Sequence, residues 1–160
     1  MDLMRIFTFL LLTLLSFSSL ANDLEKCGAF IKSKNEGEQV HNFQPCLNLA
    51  KNGHVGAQYA IAMSYEGVKK GELAQKYYMQ AANKGFAPAF LNIGHMFNEV
   101  QPWKAIYWYQ RYFQTGEEGS GYAAKLISII FQRLELNGES EYWVKQCLTT
   151  AYTGCNVVPK

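Results

Sequence analysis

The chain has 160 residues, with 15 basic and 13 acidic side chains and a formal net charge of +2. That balance leaves out the concentrated positive charge by which proteins grip nucleic acid or anionic membranes. The length suits one domain able to bury a core, and four cysteines in an exported chain read as disulfides rather than reactive thiols.

Export is the first reading along the chain. "MDLMR" carries Arg5, an apolar run follows from Ile6 to Phe17, and "SSLAND" places Ser19 and Ala21 at the small-residue positions of a cleavage site. This is the pattern of a secretory signal peptide. The apolar run is well short of the roughly 20 residues that a spanning helix needs. Residues 1–21 are therefore expected to be removed, leaving a mature chain of 22–160. Removal takes one base (Arg5) and one acid (Asp2), so the charge stays at +2. No cysteine stands at the cleavage site for a lipid anchor, and no second apolar span follows. The style of the leader fits a bacterial envelope protein, most simply a periplasmic one, with no stable membrane insertion after cleavage.

The middle of the chain repeats itself. Gly53, Gly85 and Gly116 are 32 and 31 residues apart and close the phrases "NLAKNG", "QAANKG" and "RYFQTG"; Gly154 closes a fourth, "TTAYTG". Ala57 and Ala89 follow the first two glycines at the same distance. From each alanine the same offsets recur: Ile61, Ala62 and Tyr65, then Ile93, Gly94 and Phe97, then Ile127, Ser128 and Phe131 after Ala123. These offsets share one helical face. A second helix per copy is carried by Ala74, Tyr77, Tyr78, Ala81 and Ala82, and again by Ala105, Trp108, Tyr109 and Tyr112. The closing glycine suits the left-handed position that ends a helix. Each copy thus reads as two antiparallel helices, whose apolar faces are hidden by stacking successive pairs.

The pattern A-x-x-x-L-G-x-x-Y, a turn, then K-A-x-x-W-Y-x-x-A-A-x-x-G resembles the Sel-like repeat family, a relative of the tetratricopeptide repeat. "AQYAIAMSYEGV" with "LAQKYYMQAANKG" is similar to one copy, and "AFLNIGHMF" with "KAIYWYQRYFQTG" to a second. "AAKLISIIF" with "SEYWVKQCLTTAYTG" resembles a degenerate third, and "FQPCLNLAKNG" the end of a leading copy. The resemblance implies an all-α, right-handed solenoid of antiparallel helix pairs, with full repeats at 55–85 and 86–116 between degenerate caps. In tetratricopeptide-like stacks the first helices line a concave face. Transferred to this chain, the partner-binding positions there are Tyr59, Met63, Leu91, His95, Lys125 and Ile129.

Four cysteines allow three pairings, and proximity favours Cys27–Cys46 and Cys147–Cys155. On an unbroken helix, eight residues rise roughly 12 Å, too far for a disulfide. Cys147 and Cys155 can pair only where the chain turns back between them, and Gly154 is the residue expected to permit it. The cysteine-rich branch of the Sel-like family resembles this stretch: a cysteine in the second helix, then another just after the closing glycine.

Little in the sequence points to catalysis. His41, His54 and His95 form no metal-binding spacing, and there is no C-x-x-C. Ser120 in "EGSGY" is flanked by glycines but lacks the G-x-S-x-G form, and the acids Glu117, Glu118, Glu139 and Glu141 fall at helix entries, where the dipole favours them. No cofactor or metal is expected. The expected function is non-enzymatic binding of a protein partner in the periplasm. Sel-like proteins include immunity proteins that mask toxic effectors and adaptors in envelope complexes. The cysteine-rich branch also suggests β-lactam binding or hydrolysis, and the aromatic surface suggests a peptidoglycan-associated assembly role.

Overall fold

A computed structural model of the chain describes residues 21–29 and 44–156. The expected signal peptide, apart from Ala21, lies outside these residues, as does His41. Among the described residues every regular element is a helix, so the fold is all-α as expected. In chain order the helices are α1 (residues 21–29), α2 (Gln44–Lys51), α3 (Val55–Gly67), α4 (Gly71–Ala82), α5 (Ala87–Phe97), α6 (Pro102–Phe113), α7 (Ser120–Arg133) and α8 (Asn137–Leu148). A 3-10 turn follows at Thr153–Asn156. Two compact units, Met1–Tyr77 and Tyr78–Lys160, divide within α4.

Local chemistry explains where helices begin and end. His54 caps α3, its Nδ1 accepting from the Ala57 amide at 3.2 Å. That gives the histidine after the closing glycine a definite job, satisfying one of the helix's orphan N–H groups. Proline stands in the first turn of α5 and of α6, where its missing N–H costs nothing. Gly53, Gly85 and Gly116 all have positive φ, at 85°, 81° and 66°, as the repeat spacing predicts. At Gly85 a Cβ would meet nothing within 4 Å, so only backbone strain opposes a side chain there. Gly85→Ala is expected to lower the unfolding free energy by about 1 kcal/mol, read from urea denaturation.

In the first unit, Cys27, Cys46, Leu49, Ala50, Ala57 and Ile61 form a buried cluster, with Tyr65 and Tyr77 packed against it. The Cys27–Cys46 disulfide joins α1 to α2, with Cα atoms 5.0 Å apart. Asn48 on α2 also donates to the Asp23 carboxylate at 3.0 Å. Helix α2 packs on α3, and the buried Gln58 amide donates back to the Ala50 carbonyl at 3.0 Å.

In the second unit α5 packs on α6, α6 on α7 and α7 on α8. Most of the offsets read from the repeat are buried, while Phe97, like Tyr65 in the first unit, is half-buried. Ala89 and Ile93, then Ala105, Trp108, Tyr109 and Tyr112, then Ala123, Ile127, Ser128 and Phe131, are all buried. The small residue at each copy's second offset has a direct purpose at Gly94, where the Tyr109 ring occupies the space a Cβ would need. At Ser128 the small hydroxyl folds back on its own helix, donating to the Lys125 carbonyl at 2.7 Å, and the backbone carbonyl accepts from the buried Ser140 hydroxyl of α8 at 2.9 Å.

The last turn departs from expectation. Helix α8 ends at Leu148, well before Gly154. Thr149 and Thr150 turn their hydroxyls back onto the Gln146 and Cys147 carbonyls, each at 2.7 Å, and so satisfy the helix end. Gly154 lies in the 3-10 turn and is not among the residues with positive φ. Its lack of a side chain serves contact instead: a Cβ would come 2.5–2.6 Å from the Tyr152 ring and hydroxyl. The reversal still brings Cys147 and Cys155 together as a disulfide, with Cα atoms 5.6 Å apart.

Candidate functional site

The six positions expected to line a groove fall on three helices. Tyr59 and Met63 lie on α3, with Met63 exposed and Tyr59 half-buried. Close by in the same unit, Tyr65 stacks on Tyr77 at 5.8 Å between ring centroids. Burial, and then the neighbouring Tyr65, raises the Tyr77 hydroxyl above the ordinary tyrosine pKa.

In the second unit Leu91 and His95 share a face of α5, and Lys125 and Ile129 share a face of α7. His95 is exposed; the other three are half-buried. His95 is also a packed residue. Its Nδ1 lies 2.9 Å from the hydroxyl of Tyr109, which is fully buried. Burial first, and then the neighbouring Tyr122, pushes that hydroxyl well above the usual tyrosine range, so it stays protonated and available to donate. The His95 ring also sits 6.2 Å from Tyr122, and Tyr122 sits 5.8 Å from Tyr152. A row of rings therefore ties α5, α7 and the segment after α8, close to the expected α5 and α7 positions.

Two features were not singled out from the sequence. The first is on α6. Trp103 is 60% exposed and Tyr107 is 52% exposed, one helical turn apart, with the exposed Val100 just before the helix. Trp103 is steadied by an edge-to-face contact with Phe131 at 5.8 Å, and Tyr107 by one with Trp108 at 5.1 Å. Arg111 lies over the Phe90 ring at 4.6 Å and Lys104 over Phe97 at 5.3 Å. A signal was present in "PWKAIYWYQRYF". Ala105, Trp108, Tyr109 and Tyr112 fill the inward stripe, so Trp103 and Tyr107, four apart and out of phase with it, must point elsewhere.

The second is a cleft of about 600 Å³ between the Gly116–Gly121 turn and the segment Thr149–Thr153. Ser120 lines it together with Glu117 and Glu118, and no histidine or lysine does. Among the described residues no group of three or more metal-ligating side chains comes together. No described helix is long and apolar enough to cross a membrane. No protein-family model, no curated protein and no solved structure matches the chain.

Proposed function

We propose that the chain is a non-enzymatic protein-binding module of the bacterial periplasm, built as a short Sel-like solenoid of helix pairs. In this reading it either neutralises an envelope-targeted toxic effector as an immunity protein or serves as an adaptor in an envelope complex. The observation that carries the reading is the outer stripe of α6. Trp103 and Tyr107 are large aromatics held by neighbouring rings yet more than half exposed. Tryptophan, tyrosine and arginine in such settings dominate the energetics of protein interfaces. Rings already fixed by packing lose little conformational freedom on binding. Two buried disulfides fit an oxidising compartment, and the signal-peptide pattern of residues 1–21 supports the periplasm as that compartment in this reading.

Affinity capture from periplasmic extract tests the proposal. The wild-type protein should retain one protein in stoichiometric amount. Trp103→Ala with Tyr107→Ala should weaken that retention by ~30-fold or more, the equivalent of losing at least about 2 kcal/mol of interface energy. His95→Ala and Met63→Ala test the groove expected from the repeat in the same assay. Absence of any stoichiometric partner would contradict the reading. A toxin-like gene beside this one would favour the immunity form over the adaptor.

A further inference from the structure

Asparagine is followed by glycine twice in the chain, at Asn52–Gly53 and Asn137–Gly138. Glycine in that place leaves its amide nitrogen unshielded, and a nearby asparagine side chain can be attacked by it. Both asparagines are exposed, so access to water does not distinguish them. The hydrogen bonds of the backbone that follows each one do.

Asn52 sits in a turn that is locked. The Gly53 amide donates to the Ala50 carbonyl at 3.0 Å, and the His54 amide to the Leu49 carbonyl at 2.8 Å. His54 then caps α3. The Gly53 nitrogen is therefore engaged, and turning the chain about Asn52 breaks both bonds and withdraws the cap.

Asn137 is the first residue of α8, and Leu136 before it supplies no side-chain cap. The leading N–H groups of a helix have no intrahelical partner. Among the described residues the Gly138 amide makes no hydrogen bond. A Cβ on Gly138 would meet nothing within 4 Å, so the space around it is open. The first bond of the helix runs from the Ser140 amide to the Leu136 carbonyl at 3.0 Å. Rotating the chain about Asn137, so that the Gly138 nitrogen faces the side-chain carbonyl, breaks that one bond. Helix ends fray in this way with little loss of global stability.

We propose that Asn137 is a site of spontaneous deamidation, and that the turn at Gly53 protects Asn52 from the same reaction. The Gly138 nitrogen gives up its proton and forms a bond to the Asn137 Cγ. The Cγ–Nδ2 bond breaks, and ammonia leaves with a proton from water. Water then opens the cyclic imide at either carbonyl, giving aspartate or isoaspartate, with no change of oxidation state. The aspartate form places a new negative charge in the first turn of α8 with Glu139, where the helix dipole favours it. The isoaspartate form adds a backbone atom at the helix entry. It should loosen the nearby bond from the Ser140 hydroxyl to the Ser128 carbonyl, 2.9 Å long in the intact helix. The site does not depend on the protein-partner reading.

The test is peptide mapping by mass spectrometry after the folded, oxidised protein has aged in oxygen-18 water. Conversion at Asn137 should take up one heavy oxygen and quicken as the buffer is made more alkaline, because the attacking amide must lose its proton. It should outpace conversion at Asn52 by ~5-fold or more, the factor equivalent to one backbone hydrogen bond. In urea the two rates should converge, since the protection at Asn52 belongs to the fold. Gly138→Ala should slow the reaction at Asn137 several-fold with thermal unfolding unchanged or raised, because this glycine lies in a helix and has room for a methyl group. If that variant loses its fold, the comparison of the two sites in the wild-type protein decides alone. Equal rates at the two asparagines in the folded protein overturn the proposal. So does an Asn137 that reacts in urea but not in the folded chain.

Discussion

Replacing Cys147 and Cys155 together by serine should be the most damaging change at the end of the chain. The bridge closes a loop with a sequence separation of 8, for which loop-closure entropy alone gives about 2.5 kcal/mol. Burial adds to that figure. Both sulfurs belong to a buried cluster with Ala124, against which Phe113, Trp143 and Tyr152 pack. A serine in place of Cys155 could donate to the Tyr152 carbonyl, which lies 3.1 Å from the Cys155 Sγ, but the apolar cluster around Cys147 has no such acceptor among its side chains. The expected total is about 3–5 kcal/mol in urea denaturation. Because Phe113 and Trp143 meet edge to face at 5.5 Å, tryptophan fluorescence should report the loosening. The Thr149–Thr153 wall should loosen with it, so the cleft should be lost before the core. A reduced protein that melts like the oxidised one would show that packing alone holds this end.

Gly94→Ala should have the second-largest effect, for a different reason. Its methyl would fall within the Tyr109 ring, and Tyr109 is fully buried and tied to His95. A buried ring on a packed helix cannot yield by rotating into water, so the helices themselves must shift. Overpacking of this kind costs about 1–3 kcal/mol, and more where the neighbour is rigid. The result should exceed the cost of Gly85→Ala, where only the backbone objects. Tyr109→Leu in the Gly94→Ala background should recover part of the loss, giving a favourable coupling in a double-mutant cycle. Additive losses would place the strain elsewhere than the Gly94–Tyr109 contact.

Much of the helical core was legible because it depends on local rules. Helical period and small-residue placement specify Ile61, Ile93 and Ile127 as interior, and the spacing of Gly53, Gly85 and Gly116 marks where the chain adopts positive φ. The disulfide pairs followed from proximity, since each joins adjacent segments. Gly154 shows the limit. It completes the same phrase as the other glycines, but two threonines had already ended α8 by capping its carbonyls. Side-chain capping of this kind competes with the backbone and leaves no periodic trace. The cleft was illegible for a related reason: its walls are separate in sequence and meet only because Gly121 leaves room for Thr150 and Tyr152. Trp103 and Tyr107 could have been found by asking which aromatics the inward stripe leaves over. The repeat directs attention instead to Tyr59, Met63, Leu91, His95, Lys125 and Ile129, the positions the resemblance assigns to a groove.

The most direct test of the protein-binding role is site-specific photocrosslinking in intact cells. A photoreactive residue at Tyr107 should yield one discrete adduct with another protein. The same residue at Glu135, exposed at the turn after α7, should yield none. No discrete adduct from Tyr107, or the same adduct from both positions, would contradict the assignment of the α6 stripe as a binding surface.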